Sequence, residues 1–493
     1  MPLLHDRVDR DGDEDELNRN DADDKRVHKI RGPHRLRRRR PRRRRQDGED
    51  DDKEEEVEGE EGGEDDEEGD EVEGEDDEGE EEEDEGKDGG VRRPRRRRPD
   101  HRKGRRGDEK CNPGRQGDEE EIPEEEEKSE VIHVKDGESI QAALDAARPG
   151  TTIVIGTGVY HEALKSRVDG TKEEPITLRG NRRGDPAIVK GEDGRAACIE
   201  INHDYYILEH FWIDGTIKES CGEDEVRNAY REKCLAIRGT RSCRGMEMEN
   251  GETYRSAVQG VVVRHMKISN SGGEGILLRY FVTGCRVYRC KIISTGCFDF
   301  KFQKEDRGIK NGEGIYIGTS SNQWYKNLTD EEDVCCFNKV FNNYIDTHGN
   351  ECVDVKEGSL HNIIESNYCT GQLDEDSGGI DSRADRTVIR YNKVVGCKGA
   401  GIRLGGHKVG DVQYGIHCKV YGNILKDNEF CGVKIMTSPH QICQNTISGE
   451  GDDYKLLRGK CSSEFDEGAE CPFEVEERED VETAAWFQRL KDL

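Results

Sequence analysis

Asp354 and Lys356, and again Asp381 and Arg383, stand two residues apart in short segments of similar composition, Cys352-Val-Asp-Val-Lys356 and Gly379-Ile-Asp-Ser-Arg383. Two carboxylates and two cations brought together in this way suit proton transfer. One acid can hold a proton while the other stays ionised, as in hydrolysis by a carboxylate pair. The same four groups also make an ordinary solubilising ladder of opposite charges across neighbouring strands. What the elements around them are decides between these uses.

Those elements repeat. Gly275-Ile-Leu-Leu-Arg279, Gly314-Ile-Tyr-Ile-Gly318, Cys352 to Lys356, Gly379 to Arg383, Gly401-Ile-Arg-Leu-Gly405 and Gly432-Val-Lys-Ile-Met436 share one pattern. Strand alternation sends Ile276, Ile315, Val353, Ile380, Ile402 and Val433 inward, together with Leu278, Ile317, Val355, Ser382, Leu404 and Ile435. The third residues then form an outward column of Leu277, Tyr316, Asp354, Asp381, Arg403 and Lys434, and the fifth residues one of Arg279, Gly318, Lys356, Arg383, Gly405 and Met436. Lys356 and Arg383 therefore fall on adjacent strands, about 5 Å apart, beside the Asp354 and Asp381 pair. Carboxylates so close leave no room for the water of an inverting glycosidase, so hydrolysis by that pair ranks behind the readings below.

A second repeat sets the length of each turn. Asn343, Asn367, Asn392, Asn423 and Asn445 recur in similar settings at intervals of 24, 25, 31 and 22 residues. One rung of a parallel β-helix takes about that many residues, and asparagines stacked at one corner can hydrogen-bond each other and buried backbone. The expected fold is all-β: a right-handed parallel β-helix over residues 131–480, opened by a capping helix. That cap runs from Ser139 as N-cap through Ile140, Ala143, Leu144 and Ala147 to the Pro149-Gly150 stop. Residues 217–257 interrupt the rhythm with a charged insertion holding Cys221, Cys234 and Cys243, expected to be a disulfide-tied loop. Residues 481–493 read as a helical tail setting Trp486, Phe487 and Leu490 on the last coil.

Residues 1–130 carry almost no branched apolar or aromatic side chain, so burial could not offset the entropy of ordering them, and disorder is expected. Basic runs at Arg35–Arg45 and Arg92–Arg106 alternate with acidic runs at Glu49–Glu85 and Asp118–Glu127. The net charge of −32 argues against nucleic acid as a partner, because the acidic blocks compete for the same arginines. Dense carboxylates instead favour diffuse binding of calcium ions or a mineral surface. Of 18 cysteines all but Cys111 lie in the foldable part, which argues for disulfides and an oxidising, extracellular compartment. Asn327-Leu-Thr329 is a glycosylation sequon, and no apolar run is long enough to span a membrane. The start MPLLHDRVDR has no signal-peptide h-region, which conflicts with secretion and suggests an incomplete or mis-called N-terminus.

Glu351-Cys-Val-Asp-Val-Lys356, with an arginine in the lysine column one rung later, resembles the catalytic stretch of the chondroitinase B and alginate lyase family of polysaccharide lyases. Ile389 to Asn392, Gly399 to Gly406, Gly158-Val-Tyr-His-Glu162 and Pro175-Ile-Thr-Leu178 resemble it too, so that the similarity runs in patches from Val131 to Asn445. Gly312–Gly318 and Val353–Ser359 are also similar to segments of secreted β-helix repeat proteins of undefined function. The lyase resemblance implies a pectin-lyase-like fold, Lys356 as base, Arg383 as its partner at the leaving oxygen, and a calcium ion held by Glu351. The family's second acid is missing, since Gly349 stands there, and Glu313 and Asp354 are the substitutes. Arg279, Tyr316, Asp381, Arg403 and Lys434 complete an expected binding face for an acidic, uronate-containing polysaccharide. A uronate α-proton becomes acidic once its carboxylate is neutralised, and a lysine beside a fixed arginine is expected to have a lowered pKa. The non-enzymatic alternative is an acidic extracellular or skeletal matrix protein that binds calcium through its charged segment and glycan through the coil.

Overall fold

The structure, a computed structural model, describes residues 130–493 apart from 183, 192–196, 217–232, 240–243, 248–252, 298–311, 328–330, 452–453, 467, 479 and 492–493. The expected disorder of residues 1–130 falls, but for Glu130, outside the described residues, as do Cys221 and Cys243.

Three long parallel sheets, of eleven, ten and ten strands, wind into a right-handed coil. Each rung contributes one short strand to each sheet, as Ile363–Glu365, Tyr368–Thr370 and Gly378–Ser382 do before Val388–Arg390 begins the next. The hydrophobic columns fall inside as the alternation requires. Ile315, Val353, Ile380, Ile402 and Val433 are each fully buried and stacked in register.

The corner between the first two sheets explains the recurring asparagines. Asn343 Nδ2 donates to Asn367 Oδ1 at 3.0 Å, and the link repeats to Asn392, Asn423 and Asn445 at 3.0, 3.0 and 2.9 Å. Each Nδ2 also donates to a main-chain carbonyl of the previous rung, such as Ile364 for Asn392. The residue before each asparagine turns the corner in the left-handed region, with φ of 56° at Asn342, 53° at Ser366 and 57° at Tyr391. Side chains other than glycine adopt that region at a cost, and the buried ladder supplies the compensating bonds. A shorter second ladder links Asn338 to Asn362 at 3.2 Å.

Ser139 caps the opening helix Ile140–Ala146 by accepting the Ala142 N–H, and Ile140, Ala143 and Leu144 are buried. Glu162 accepts from the backbone of both Ile140 and Gln141, fastening this cap to the first rungs.

Three expectations are corrected. Within residues 217–257, Lys233–Arg238 is a regular strand paired with Ala197–Ile201 and Ile276–Arg279, so the coil continues there. Cys234 on it is a buried free thiol beside Cys198. Among the described cysteines the disulfide is Cys443–Cys471, and thirteen others are thiols, most of them packed in the coil as small apolar side chains. The C-terminal helix Ala485–Lys491 lies not on the last coil but along its flank, where Phe487 meets Tyr344 and Tyr368 at ring distances of 5.8 and 5.0 Å. Asn327 of the sequon is buried, with its amide donating to the Glu331 carbonyl, and Leu328 and Thr329 lie outside the described residues.

Candidate functional site

The middle strands of one ten-stranded sheet carry the charged residues singled out above. Register aligns Leu277, Tyr316, Asp354, Asp381, Arg403 and Lys434 across Ile276–Arg279, Ile315–Ile317, Val353–Val355, Gly378–Ser382, Ala400–Leu404 and Cys431–Ile435. The column continues to Arg458 beyond Lys434 and to Ala236 beyond Leu277. On the Leu277 side it is apolar and covered, while Arg403 and Lys434 are half-buried.

Lys356 and Arg383 follow the strand ends Val355 and Ser382, which pair across the sheet, so the expected neighbours are adjacent. Lys356 Nζ lies 2.9 Å from Asp354 Oδ2 and 5.1 Å from the centre of the Tyr316 ring. Arg279, from the same flank, stacks on that ring at 5.1 Å. Asp381 is shared by Arg403 at 2.9 Å and Arg383 at 3.7 Å. Lys434 donates to the Asp376 carbonyl at 2.8 Å. The Asp354 and Asp381 side chains are fully buried, and those of Lys356 and Arg383 are 6% and 7% exposed.

Glu313, Glu351 and Asp354 bring ligand oxygens within 4.8 Å of one another, all buried. Glu351 Oε2 and Asp354 Oδ1 have no hydrogen-bond partner. Burial and the neighbouring Glu274 push Glu313 up to about 8, and burial with Asp354 and Glu313 pushes Glu351 well above the carboxylate range. Such a group must take up protons or a cation. Orphaned hard oxygens without sulfur or imidazole fit calcium, with water or substrate completing the shell. At Gly349 a Cβ would lie 2.5 Å from the Thr295 carbonyl oxygen, so that position offers the cluster no carboxylate.

The lowered pKa expected of Lys356 is not found. Burial and Arg383 both favour the neutral amine, but Asp354, Tyr316 and Glu351 together outweigh them and hold the ammonium well above the usual lysine range. Asp381 is pushed up by burial yet held below the carboxylate range by Arg403 and Arg383. Lys434 is lowered, by burial and then by Arg403.

Three participants had not been singled out in the sequence. Ser377, in the segment between the two site rungs, places its hydroxyl between Glu351 and Asp381. Glu357 is fully buried behind Lys356, and although burial raises it, Arg383 and Lys356 hold it below the carboxylate range. His407 donates its backbone N–H to Glu357 at 3.1 Å. The only sequence signal for Glu357 was its place next to Lys356, and there was none for Ser377 or His407.

No family model and no curated protein matches the sequence. Among solved structures, an alginate lyase from Paenibacillus sp. str. FPU-7 superposes with a TM-score of 0.52 at 20% identity, over 67% of this chain and 100% of that one. A mannuronic acid specific polysaccharide family 6 lyase from human gut microbiota gives a TM-score of 0.38 at 17% identity, over 70% of this chain and 78% of that one. At such identity the likeness is one of architecture, and with the sheets described above it makes the chain a right-handed parallel β-helix protein of the pectin-lyase-like fold.

Proposed function

We propose that the protein is a secreted polysaccharide lyase that cleaves an acidic, uronate-containing glycan by β-elimination with calcium assistance. The observation that carries this reading is the Lys356 and Arg383 pair on adjacent rungs, set against three buried carboxylates with orphaned oxygens. Glu313, Glu351 and Asp354 would hold the ion. When bound, its contribution is positive charge, which neutralises the substrate carboxylate and weakens the negative field around Lys356.

Lys356 acts as the free amine, the form that positive charge at Glu313, Glu351 and Asp354 would favour; its Nζ takes the proton from C5 of the uronate, the C4–O bond breaks, and a C4=C5 double bond forms. Arg383, held by Asp381, presents fixed positive charge to the developing anion without reorganising. Tyr316 and Arg279 line one flank, and Arg403 and Lys434 offer cations to further carboxylates along the chain. The Cys443–Cys471 disulfide accords with an extracellular setting, and no helix among the described residues is long and apolar enough to cross a membrane.

The test is incubation of full-length protein and calcium with alginate, pectate or a glycosaminoglycan. An unsaturated, ultraviolet-absorbing product is expected, and Lys356→Ala abolishes it. Tight binding without cleavage of any uronate polymer overturns the lyase reading. It would favour the acidic matrix protein, for which the Glu49–Glu85 run is the supporting observation.

A further inference from the structure

The outward column of the ten-stranded sheet changes character at the reacting groups. On one side of the Lys356 and Arg383 rungs it runs through Tyr316, Leu277 and Ala236, and on the other through Arg403, Lys434 and Arg458. Ala236, Leu277 and Tyr316 point away from the core and form an apolar cluster of their own with Ala197. Side chains so placed on a bare sheet would meet water, yet these three are 4%, 2% and 4% exposed, so this end of the column is covered. Lys356 and Arg383, at the boundary, are buried as well, whereas Arg403, Lys434 and Arg458 are only half-buried. The cleft is therefore open at Arg458, narrows toward the reacting groups and ends at Tyr316.

The open end is furnished for a polyanion. Phe430 is half-buried, with Lys434 Nζ 5.2 Å and the Arg458 guanidinium 5.1 Å from its ring centre. Successive rungs stand about 4.8 Å apart, so Arg403, Lys434 and Arg458 present one cation per rung to carboxylates of a glycan laid along the coil axis. An aromatic ring between two of those cations can carry the apolar face of a sugar. Nothing comparable lies past Tyr316, where Leu277 and Ala236 offer neither charge nor a side-chain hydrogen bond. Two strand steps, about 10 Å, separate Asp354 from Leu277, which leaves space on the closed side for one or two sugar units.

We infer that the site works on the end of a glycan chain and not on its interior. The polymer enters over Phe430, lies along Arg458, Lys434 and Arg403, and presents its terminal one or two units to Lys356 beside Tyr316. This inference rests on the lyase reading and adds to it the length of the product. The bond chemistry is unchanged: each turnover breaks one C4–O bond and forms one C4=C5 double bond, and a monosaccharide or disaccharide departs.

The experiment follows ultraviolet absorbance and viscosity together while full-length protein in calcium acts on alginate, polygalacturonate and dermatan sulfate. Absorbance is expected to rise while viscosity falls only in proportion to the mass released, with monosaccharide or disaccharide beside intact polymer from the earliest times. On oligouronates of defined length, kcat/KM should rise until the chain reaches Arg458 and then level off. Arg458→Ala should lower it about 10-fold for long chains, the size of one charge-assisted contact, and less than about 2-fold for the shortest chain cut. A steep early fall in viscosity with a ladder of intermediate oligomers overturns the end-acting inference and leaves the lyase reading standing. An equal loss from Arg458→Ala at every length does the same, since the arginine would then serve the fold and not the bound chain. No double bonds from any of the three polymers overturns the lyase reading and this inference with it.

Discussion

Replacing Lys356 by methionine separates what the lysine does for the fold from what it does for a substrate. Its ammonium lies 2.9 Å from Asp354 Oδ2, and the side chains are 6% and 0% exposed. At an effective dielectric of about 20 that contact corresponds to about 6 kcal/mol of attraction. Part is recovered in the variant, because Arg383 still acts on Asp354 and because burial already favours the protonated acid. A net destabilisation of about 3–5 kcal/mol is expected, the usual cost of leaving one partner of a buried pair behind. Methionine keeps most of the volume and the contact with the Tyr316 ring, so the loss reports on charge. Lys356→Met combined with Asp354→Asn should return to within about 1 kcal/mol of wild type, since no uncompensated charge remains. Urea denaturation without calcium, followed by far-ultraviolet circular dichroism, gives the four corners of the cycle. A coupling energy below about 1 kcal/mol would refute the electrostatic account of the pair. The cleavage assay on the same proteins gives the second arm. The double variant should be stable and inactive, and recovery of activity along with stability would make the lysine a structural residue only.

Further consequences concern the scaffold. Asn392 makes four hydrogen bonds within the ladder, to Ile364, Asn367 and Asn423, so Asn392→Ala should cost about 3–5 kcal/mol at roughly 1 kcal/mol each. Asn445 makes as many bonds, with Asn423, Val420 and Cys443, but at a partly exposed end where water can replace them, so Asn445→Ala should cost less, and an equal or larger loss in denaturant titrations would contradict the ladder account. Gly349→Ala drives a methyl to 2.5 Å from the Thr295 carbonyl oxygen and is expected to destabilise by about 1–3 kcal/mol, lowering the thermal midpoint. His440, lowered by burial from 6.5 to about 4, folds in its neutral form. Its contribution is complete above pH 6.5 and is lost as pH falls toward 4, by at most about 3 kcal/mol, and His440→Gln should flatten that part of the stability profile.

Much of the site was legible before the fold was known because a coil of this kind is nearly one-dimensional. Each rung meets only its neighbours, so aligning repeats in the sequence is equivalent to aligning strands in space. Leu277, Tyr316, Asp354, Asp381, Arg403 and Lys434 could be placed in one column, and Lys356 beside Arg383, by strand alternation alone. The asparagine ladder was legible for the same reason, whereas Glu313 entered only through the family resemblance, as a substitute for the acid missing at Gly349.

Segments that leave the coil obey no such period, and there the tertiary structure decided. Ser377 and His407 reach the site from connections between rungs, where neither alternation nor spacing says which way a side chain points. Phe487 passes over the last coil to settle on Tyr344 and Tyr368, because an apolar helix face docks wherever exposed rings are stacked. Most of the described cysteines proved to be core thiols, since burial satisfies a small apolar side chain without a partner. The charge state of Lys356 was out of reach of any pattern in the chain. It is the sum over Arg383, Asp354, Tyr316 and Glu351 at distances set by three rungs, in a buried site that weakens each interaction little, and only the assembled coil determines that the acids prevail.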